Sequence, residues 1–536
     1  MKTTPYLLFA CIRIIVVCII TLAPPFSRGV VVSAFTLHMS SSTTEMQRLV
    51  LVGGGHGHVQ VIKALNRLSR PASVHVTLID PQDSASYSGM VPGCVSKLYT
   101  PDQTLIHLRP LAEWASIDYM KRSVVDIDAN QRKLYLNDVS CGDDDDDEHV
   151  ATCVEYDAVS FDIGSATRGL DETPGAAEFT IPTRPISDLV KRIADEEEVV
   201  ESKLEDGSWK KDGGAHVVVV GAGAAGIELS LAMRARWDHF FAGDDDSSTL
   251  KVTLLDSGDE LLPHETMPCR KALRKVLSDR NIQVQHQAQV KKITKDEIVL
   301  QEGEKMSYTH CVWATGANRH PLADKLRERG IAVSDRGWIR VGPTLQSVSH
   351  PEIFAAGDCC TIEGLPDNKP SPPKAGVYAV RAGPLLIENL IGYLAGKSQD
   401  DLTKYNPQSD FLKLLMAGDG TALGFRFGLA LYGKWVWVLK DKIDVMFMDL
   451  FQAENLPVLD ESKKGDRLDT SQYDAAQDNK PRLEPKEAAE LLLRTDDDVD
   501  FQAAWGVLRS MMKDDEYKSK VLSYAEVKIM STSRGL

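Results

Sequence analysis

Two glycine clusters carry residue types and spacings that could do chemistry. The first is Gly53-Gly-Gly55-His56-Gly-His58, entered from the apolar run Leu49-Val-Leu-Val52 and followed by Val59-Gln-Val-Ile-Lys-Ala64. Strand, tight turn and helix in that order gather backbone N–H groups at a helix N-terminus, where a diphosphate is well held. Alone this match is weak: Gly53 and Gly55 take the first two places of Gly-x-Gly-x-x-Gly, but His58 stands at the third. The second cluster is complete: His216-Val-Val-Val-Val220 runs into Gly221-Ala-Gly223-Ala-Ala-Gly226-Ile-Glu228. Gly221 would make the tight turn, Gly223 would let backbone approach a diphosphate, and Gly226 would pack helix on strand. Each cluster is followed by a strand ending in an acid, His75-Val-Thr-Leu-Ile-Asp80 and Lys251-Val-Thr-Leu-Leu-Asp256. A carboxylate there accepts hydrogen bonds from ribose hydroxyls. At Asp256 it also repels a 2′-phosphate, which favours NADH over NADPH.

The elements that must position these residues read as an α/β fold. Four consecutive valines mark a strand buried on both faces, as in a parallel sheet. Tyr87-Ser-Gly-Met-Val-Pro-Gly-Cys94 is a loop with fixed turns, and Ser123–Asp128, Lys133–Leu136 and Glu155–Ser165 read as short strands. A helix is expected over Ser187–Lys203. Cys311–Gly316 closes the second unit, and a further strand stops at Gly357-Asp358. The helix expected from Lys374 would turn its positive end toward whatever Asp358 holds. Phe411–Gly420 and Leu423–Leu439 read as strand-like. Trp435, Trp437, Phe447, Met448 and Phe451 are either core or a surface that meets a membrane or another subunit. Amphipathic helices are expected over Glu487–Arg494 and Phe501–Tyr524.

The chain of 536 residues is long enough for two or three domains, and its 43% hydrophobic and 26% charged content is that of a soluble globular protein. A net charge of −16 argues against a nucleic-acid partner. The acidic runs Asp143–Asp147 and Asp244–Asp246 read as solvated loop tips. None of the nine cysteines has C-x-x-C or C-x-x-x-x-C spacing, so neither a metal cage nor a dithiol pair is written locally. At the N-terminus, Lys2 and the apolar Ile14–Ile20 read as a secretory-type signal peptide, with Ser33-Ala34 before Phe35 as a cleavage site. A hydroxylated, acid-free leader follows to Thr44, and the two parts resemble the presequence of algal secondary plastids. A plastid is expected, with the endomembrane or secretory route and the mitochondrion as alternatives.

Two glycine turns backed by Ala314-Thr-Gly316 and Ala356-Gly-Asp358 resemble the two-dinucleotide-binding flavoproteins of the pyridine nucleotide-disulfide oxidoreductase superfamily. Within it the chain is similar to the oxidoreductase group found alone or fused to selenide, water dikinase. That likeness rests on Gly53-Gly-Gly-His56, Tyr87-Ser-Gly-Met-Val-Pro-Gly93, His107-Leu-Arg-Pro110, Phe161-Asp-Ile-Gly-Ser165, Pro373-Lys-Ala-Gly-Val-Tyr-Ala-Val-Arg381 and Phe411-Leu-Lys-Leu-Leu415. More distantly it resembles type II NADH dehydrogenases and apoptosis-inducing-factor-like reductases. The resemblance implies FAD on the first turn, held by Gly53, Gly55, His56, Asp80, Gly164, Gly357, Asp358 and Lys374. It implies NADH on the second, held by Gly221, Gly223, Gly226, Asp256 and Gly316, with Glu228 close to the nicotinamide. The expected architecture is a FAD domain (47–175 and 317–398) interrupted by an inserted NAD(P)H domain (176–316). A leader (1–46), an interface segment (399–454), a linker (455–483) and C-terminal helices (484–536) make an α+β extension around it.

The resemblance implies hydride transfer from NADH to FAD and onward reduction of an acceptor, a quinone by preference. It is compatible with peripheral membrane contact and with a homodimer. The alternatives are a soluble reductase of a protein carrier or a sulfur or selenium compound, and a slowly turning NADH-sensing flavoprotein acting through a partner.

Overall fold

The computed structural model describes residues 46–137, 152–206, 214–241, 249–408, 410–460, 483–495 and 501–533, with Ser462 and Val499. The expected leader up to residue 45, both acidic runs and most of the expected linker lie outside the described residues. In chain order, β1 (Gln47–Val52) enters α1 (His56–Ala64), then β2 (Val74–Ile79), β3 (Asp118–Met120) and β4 (Ala158–Phe161). β5 (Ile181–Pro182) and α2 (Ile186–Glu205) lead to β6 (Gly214–Val220) and α3 (Ala224–Trp237). β7 (Thr249–Leu255), β8 (Ile282–Gln285) and β9 (His310–Trp313) complete that unit. β10 (Ile353–Ala355) and α4 (Gly376–Leu394) come next. Then follow β11 (Lys413–Met416), β12 (Ala422–Arg426), β13 (Leu429–Gly433) and α5 (Lys434–Asp449). Last come α6 (Pro485–Leu492), α7 (Phe501–Lys513) and α8 (Asp515–Ser533).

The long-range pairing makes two five-stranded parallel sheets on one plan, β10-β4-β1-β2-β3 and β5-β9-β6-β7-β8. In each, the strand that enters the glycine turn is central, which is why its residues are apolar on both faces: Leu49–Val52 and Val217–Val220 are all buried. Each such side chain contributes roughly 1.5–3 kcal/mol by leaving water. β10 joins the first sheet only after the second unit is complete, so the second unit is inserted into the first. Mixed α/β architecture with Rossmann-like parallel sheets is thus as the sequence led us to expect.

Two expected elements are corrected. Leu423–Leu439 is not strand throughout. The antiparallel β11-β12-β13 sheet ends at Gly433, whose φ of +129° only glycine adopts easily, and α5 begins at Lys434. From there Trp435, Val436, Leu439 and Met446 recur at helical spacing and pack into the core shared with α6–α8. Phe447, Met448 and Phe451 enter the core of the first unit. The aromatic cluster is therefore core, and α5 ties the extension to the body. The expected Phe501–Tyr524 helix is two, divided at Asp514, whose Oδ1 accepts the Tyr517 N–H at 2.9 Å and so caps α8.

Candidate functional site

The first turn is built around a carboxyl group that the glycine pattern does not contain. Asp162, one residue past β4, is 4% exposed, and its Oδ2 accepts the N–H of Gly57 at 2.8 Å and of His58 at 3.3 Å. The glycines wall it in: a Cβ on Gly55 would lie 2.2 Å from its carboxyl carbon. Burial, with Asp358 and Asp80 adding like charge, pushes its pKa up to about 7. His58 fills the place of the third glycine by bridging strand to turn. Its Nδ1 meets the Gly53 carbonyl at 2.6 Å and its Nε2 the Ser160 hydroxyl at 2.8 Å. Burial holds that ring neutral, its pKa down at about 4.

Asp80, at the end of β2, accepts the N–H of Gly54 at 2.6 Å and of Gln82 at 2.7 Å, so it ties the turn to the second strand. Desolvation raises its pKa. Gly55, His56, Asp80, Gly164, Gly357 and Asp358 all border one cavity of about 750 Å³. A Cβ on Gly164 would touch nothing within 4 Å, so open space lies over its backbone. Asp358 faces the same space, 3.5 Å from Arg184 and accepting the Ser165 hydroxyl at 3.2 Å. A pocket of this size, bordered by glycine backbone and by the carboxylates of Asp80 and Asp358, suits a dinucleotide, so these residues fit FAD.

Lys374 is placed differently from expectation. The helix starts at Gly376, because Ala375 is extended after Pro372-Pro373. The Lys374 ammonium donates to the Cys360 carbonyl and lies 4.5 Å from the Trp338 ring centre. It borders both the main cavity and a second groove of about 720 Å³.

That groove runs along the second turn, past Gly223, Ala224, Ala225 and Gly316. Gly226 packs so tightly that a Cβ would sit 1.8 Å from the Gly221 carbonyl oxygen, whereas a Cβ on Gly223 would meet nothing. These are the close-packing and close-approach roles the spacing implied. Asp256 ends β7, where its Oδ1 accepts the Gly258 N–H at 3.1 Å and its Oδ2 meets His286 Nδ1 at 3.0 Å. The cavity and the groove share Arg184, Ala224, Ala225 and Lys374, so the two nucleotide sites adjoin.

At the inner end of the cavity sits a polar cluster of which sequence reasoning singled out only Glu228. The Glu228 Oε1 accepts the Met416 N–H at 2.9 Å, and burial lifts its pKa to about 7 against the pull of Lys440. Lys440 and Asp444, one turn apart on α5, are 4% and 5% exposed and 2.6 Å from each other. The Lys440 ammonium also donates to the Gly89 carbonyl at 2.6 Å, and the Tyr87 hydroxyl donates to Asp444 at 3.2 Å. The one signal for this pair was a lysine and an aspartate four residues apart, in the charged stretch Lys440-Asp-Lys-Ile-Asp444 that follows an apolar run. Tyr87 stacks at 5.0 Å from Phe447 and 5.2 Å from His56, forming an aromatic wall. The rest of the lining mixes apolar side chains, Leu412, Leu414, Leu415, Phe425, Ile443 and Met446, with the cations Arg381, Lys413 and Arg426.

Among the described residues no two cysteines form a disulfide. Cys94, Cys269, Cys311, Cys359 and Cys360 are buried, Cys153 is exposed, and all six are free thiols. Burial pushes the Cys360 thiol up to about 12. Among the described residues no cluster could hold a metal, and no helix is long and apolar enough to cross a membrane.

Residues 47–383, more than half of the chain, match the family model described as pyridine nucleotide-disulphide oxidoreductase. A type II NADH:quinone oxidoreductase of Haemophilus influenzae is 24% identical over 402 residues, 71% of this chain and 87% of that protein. A demethylphylloquinone reductase of Synechocystis is 23% identical over 326 residues, 59% of this chain and 72% of that one. Among solved structures, NDH2 from Plasmodium falciparum in complex with NADH shares the fold, with a TM-score of 0.62 at 15% identity over 77% of this chain and 99% of that one. Two adjoining dinucleotide sites on twin parallel sheets, matched end to end by that family model, leave one conclusion: the chain belongs to the pyridine nucleotide-disulphide oxidoreductase family and is a flavin-dependent NAD(P)H oxidoreductase.

Proposed function

We propose that this protein oxidises NADH and reduces a quinone, with FAD resident in the main cavity. The observation that carries the reading is the lining of that cavity. It shares Arg184, Ala224, Ala225 and Lys374 with the groove on the second turn, and its other walls include a largely apolar chamber of Leu412, Leu414, Phe425 and Ile443. FAD, when bound, supplies a two-electron carrier that takes hydride from a nicotinamide and passes electrons on. The chain's own residues bind, orient and shield. Gly53, Gly55 and Asp80 hold the adenosine half, Gly164 and Gly357 admit the diphosphate closely, and Asp358 meets the ribityl chain. Gly221, Gly223, Gly226 and Gly316 seat NADH, and Asp256 selects it over NADPH. Glu228, with a pKa of about 7, holds a proton beside the nicotinamide end, and Lys440 opposes its charge when that proton leaves. Phe425, Leu414 and Ile443 keep water from the chamber that would take the quinone ring.

The Haemophilus and Synechocystis relatives, named as quinone reductases, support this acceptor. We propose a plastid address from its expected leader, and peripheral membrane contact from the lipid solubility of a quinone acceptor. Steady-state NADH oxidation by the FAD-loaded protein with a short-chain quinone tests the function. Turnover only with a protein carrier or a persulfide would overturn it. A fluorescent reporter fused behind residues 1–46 tests the address.

A further inference from the structure

Among the described residues two cations that line the main cavity have no carboxylate partner: Lys374, which instead donates to the Cys360 carbonyl and lies against the Trp338 ring, and Arg381. Arg381 lies on α4 and lines the cavity with Phe411, Leu412 and Arg426. Its Nε is buried without a hydrogen-bond partner, and among the described residues no carboxylate pairs with its guanidinium. The remaining four cations around this space each have a carboxylate partner. Lys413 stands 2.7 Å from Glu265, Arg426 2.9 Å from Asp410, Lys440 2.6 Å from Asp444 and Arg184 3.5 Å from Asp358. Asp410 is already shared, since Lys413 also lies 3.4 Å from it. At this end of the cavity three cations, Arg381, Lys413 and Arg426, thus face two carboxylates. The groups that act on Arg381 are the hydroxyls of Tyr378 and Tyr405 and the like charge of Arg426, and burial lowers its pKa.

A half-buried guanidinium without a partner is costly, and nothing in the packing requires a charge there. Its planar fork matches an oxygen anion better than any other side chain does. Phe411 lines the cavity beside Arg381 and offers it an aromatic surface, its ring braced edge to face by Tyr378 at 5.7 Å. We propose that Arg381 recognises the electron acceptor, and that the apolar chamber takes a planar aromatic acceptor bearing an oxyanion, either a carboxylate or an ionised ring hydroxyl. This rests on the reading of the chamber as the acceptor site.

The test uses the FAD-loaded protein and two sets of probes. Calorimetry compares naphthoate with naphthylmethanol, neither of which can be reduced. Naphthoate should bind about tenfold more tightly or better, and Arg381→Gln should abolish that preference while Arg381→Lys keeps part of it. Steady-state kinetics then compares hydroxynaphthoquinone, an ionised ring hydroxyl, with the uncharged menadione. The ratio of their KM values should shift about tenfold against the anion in Arg381→Gln. Equal binding of the two naphthalenes, or a Gln variant that still prefers naphthoate, overturns the proposal. So does a Gln variant that releases FAD yet keeps the preference, for Arg381 would then serve the cofactor. If naphthoate binding depends on Arg381 but neither quinone is reduced, the anion site stands and the quinone reading falls. If quinones are reduced without any charge preference, only the anion site falls.

Discussion

His58 and Asp162 make opposite demands on a proton, and the balance between them can be measured. His58 is fully buried with a pKa of about 4, against an ordinary 6.5. Asp162 is 4% exposed with a pKa of about 7, against an ordinary 3.8. The folded value of His58 lies below the unfolded one. Its contribution is therefore complete above pH 6.5 and is lost as pH falls toward about 4, a difference of roughly 3 kcal/mol. The folded value of Asp162 lies above the unfolded one. Its penalty is absent below pH 3.8 and grows to roughly 4 kcal/mol as pH rises to about 7. Between about pH 4.5 and about pH 6.5 the unfolded chain holds a proton on His58 and the native protein holds one on Asp162, so the two slopes, each ~1.4 kcal/mol per pH unit, nearly cancel. His58→Gln and Asp162→Asn keep hydrogen-bonding groups in place but cannot titrate. Urea unfolding of the apoprotein across that window should show His58→Gln losing ~1.4 kcal/mol per pH unit relative to the wild type as pH rises, and Asp162→Asn gaining as much. Three parallel lines would refute the assignment of these buried protonation states.

Gly226→Ala places a methyl 1.8 Å from the Gly221 carbonyl oxygen and must displace α3. Flavin content should be retained, while the KM for NADH rises by about tenfold or more. Asp256→Asn removes the charge that repels a 2′-phosphate, so the kcat/KM preference for NADH over NADPH should narrow by about tenfold or more, read by initial rates with each nucleotide. Glu228, whose pKa is about 7, should give kcat a break near that pH. In Glu228→Gln the break should vanish from the pH profile.

Both glycine turns, both acid-ended strands and the insertion of one unit in the other were legible, because backbone chemistry at a diphosphate leaves little freedom in residue choice. The two turns differ at their third position, and the structure gives the reason. Gly226 has no room for a Cβ, whereas the place of His58 opens onto Ser160, where an imidazole can hydrogen-bond at both ends. Asp162 was quoted within a motif but given no role, since its carboxyl acquires meaning only where Gly55, Gly57 and Gly357 close around it. Tyr87, Lys440 and Asp444 come from segments separated by up to 357 residues and meet only through the tertiary fold, which also brings Arg381 into the same cavity. The strand-like reading of Leu423–Leu439 failed at Gly433, where one backbone angle changes the period from two to three-and-a-half.

In the proposed function two nucleotide sites pass electrons in sequence, from NADH through FAD to an acceptor. Anaerobic titration of the FAD-loaded protein with NADH, followed by a quinone, tests it most directly. One NADH per flavin should bleach the flavin absorbance and one quinone per flavin should restore it. A protein that takes up no FAD, or whose flavin stays oxidised under excess NADH, would contradict it.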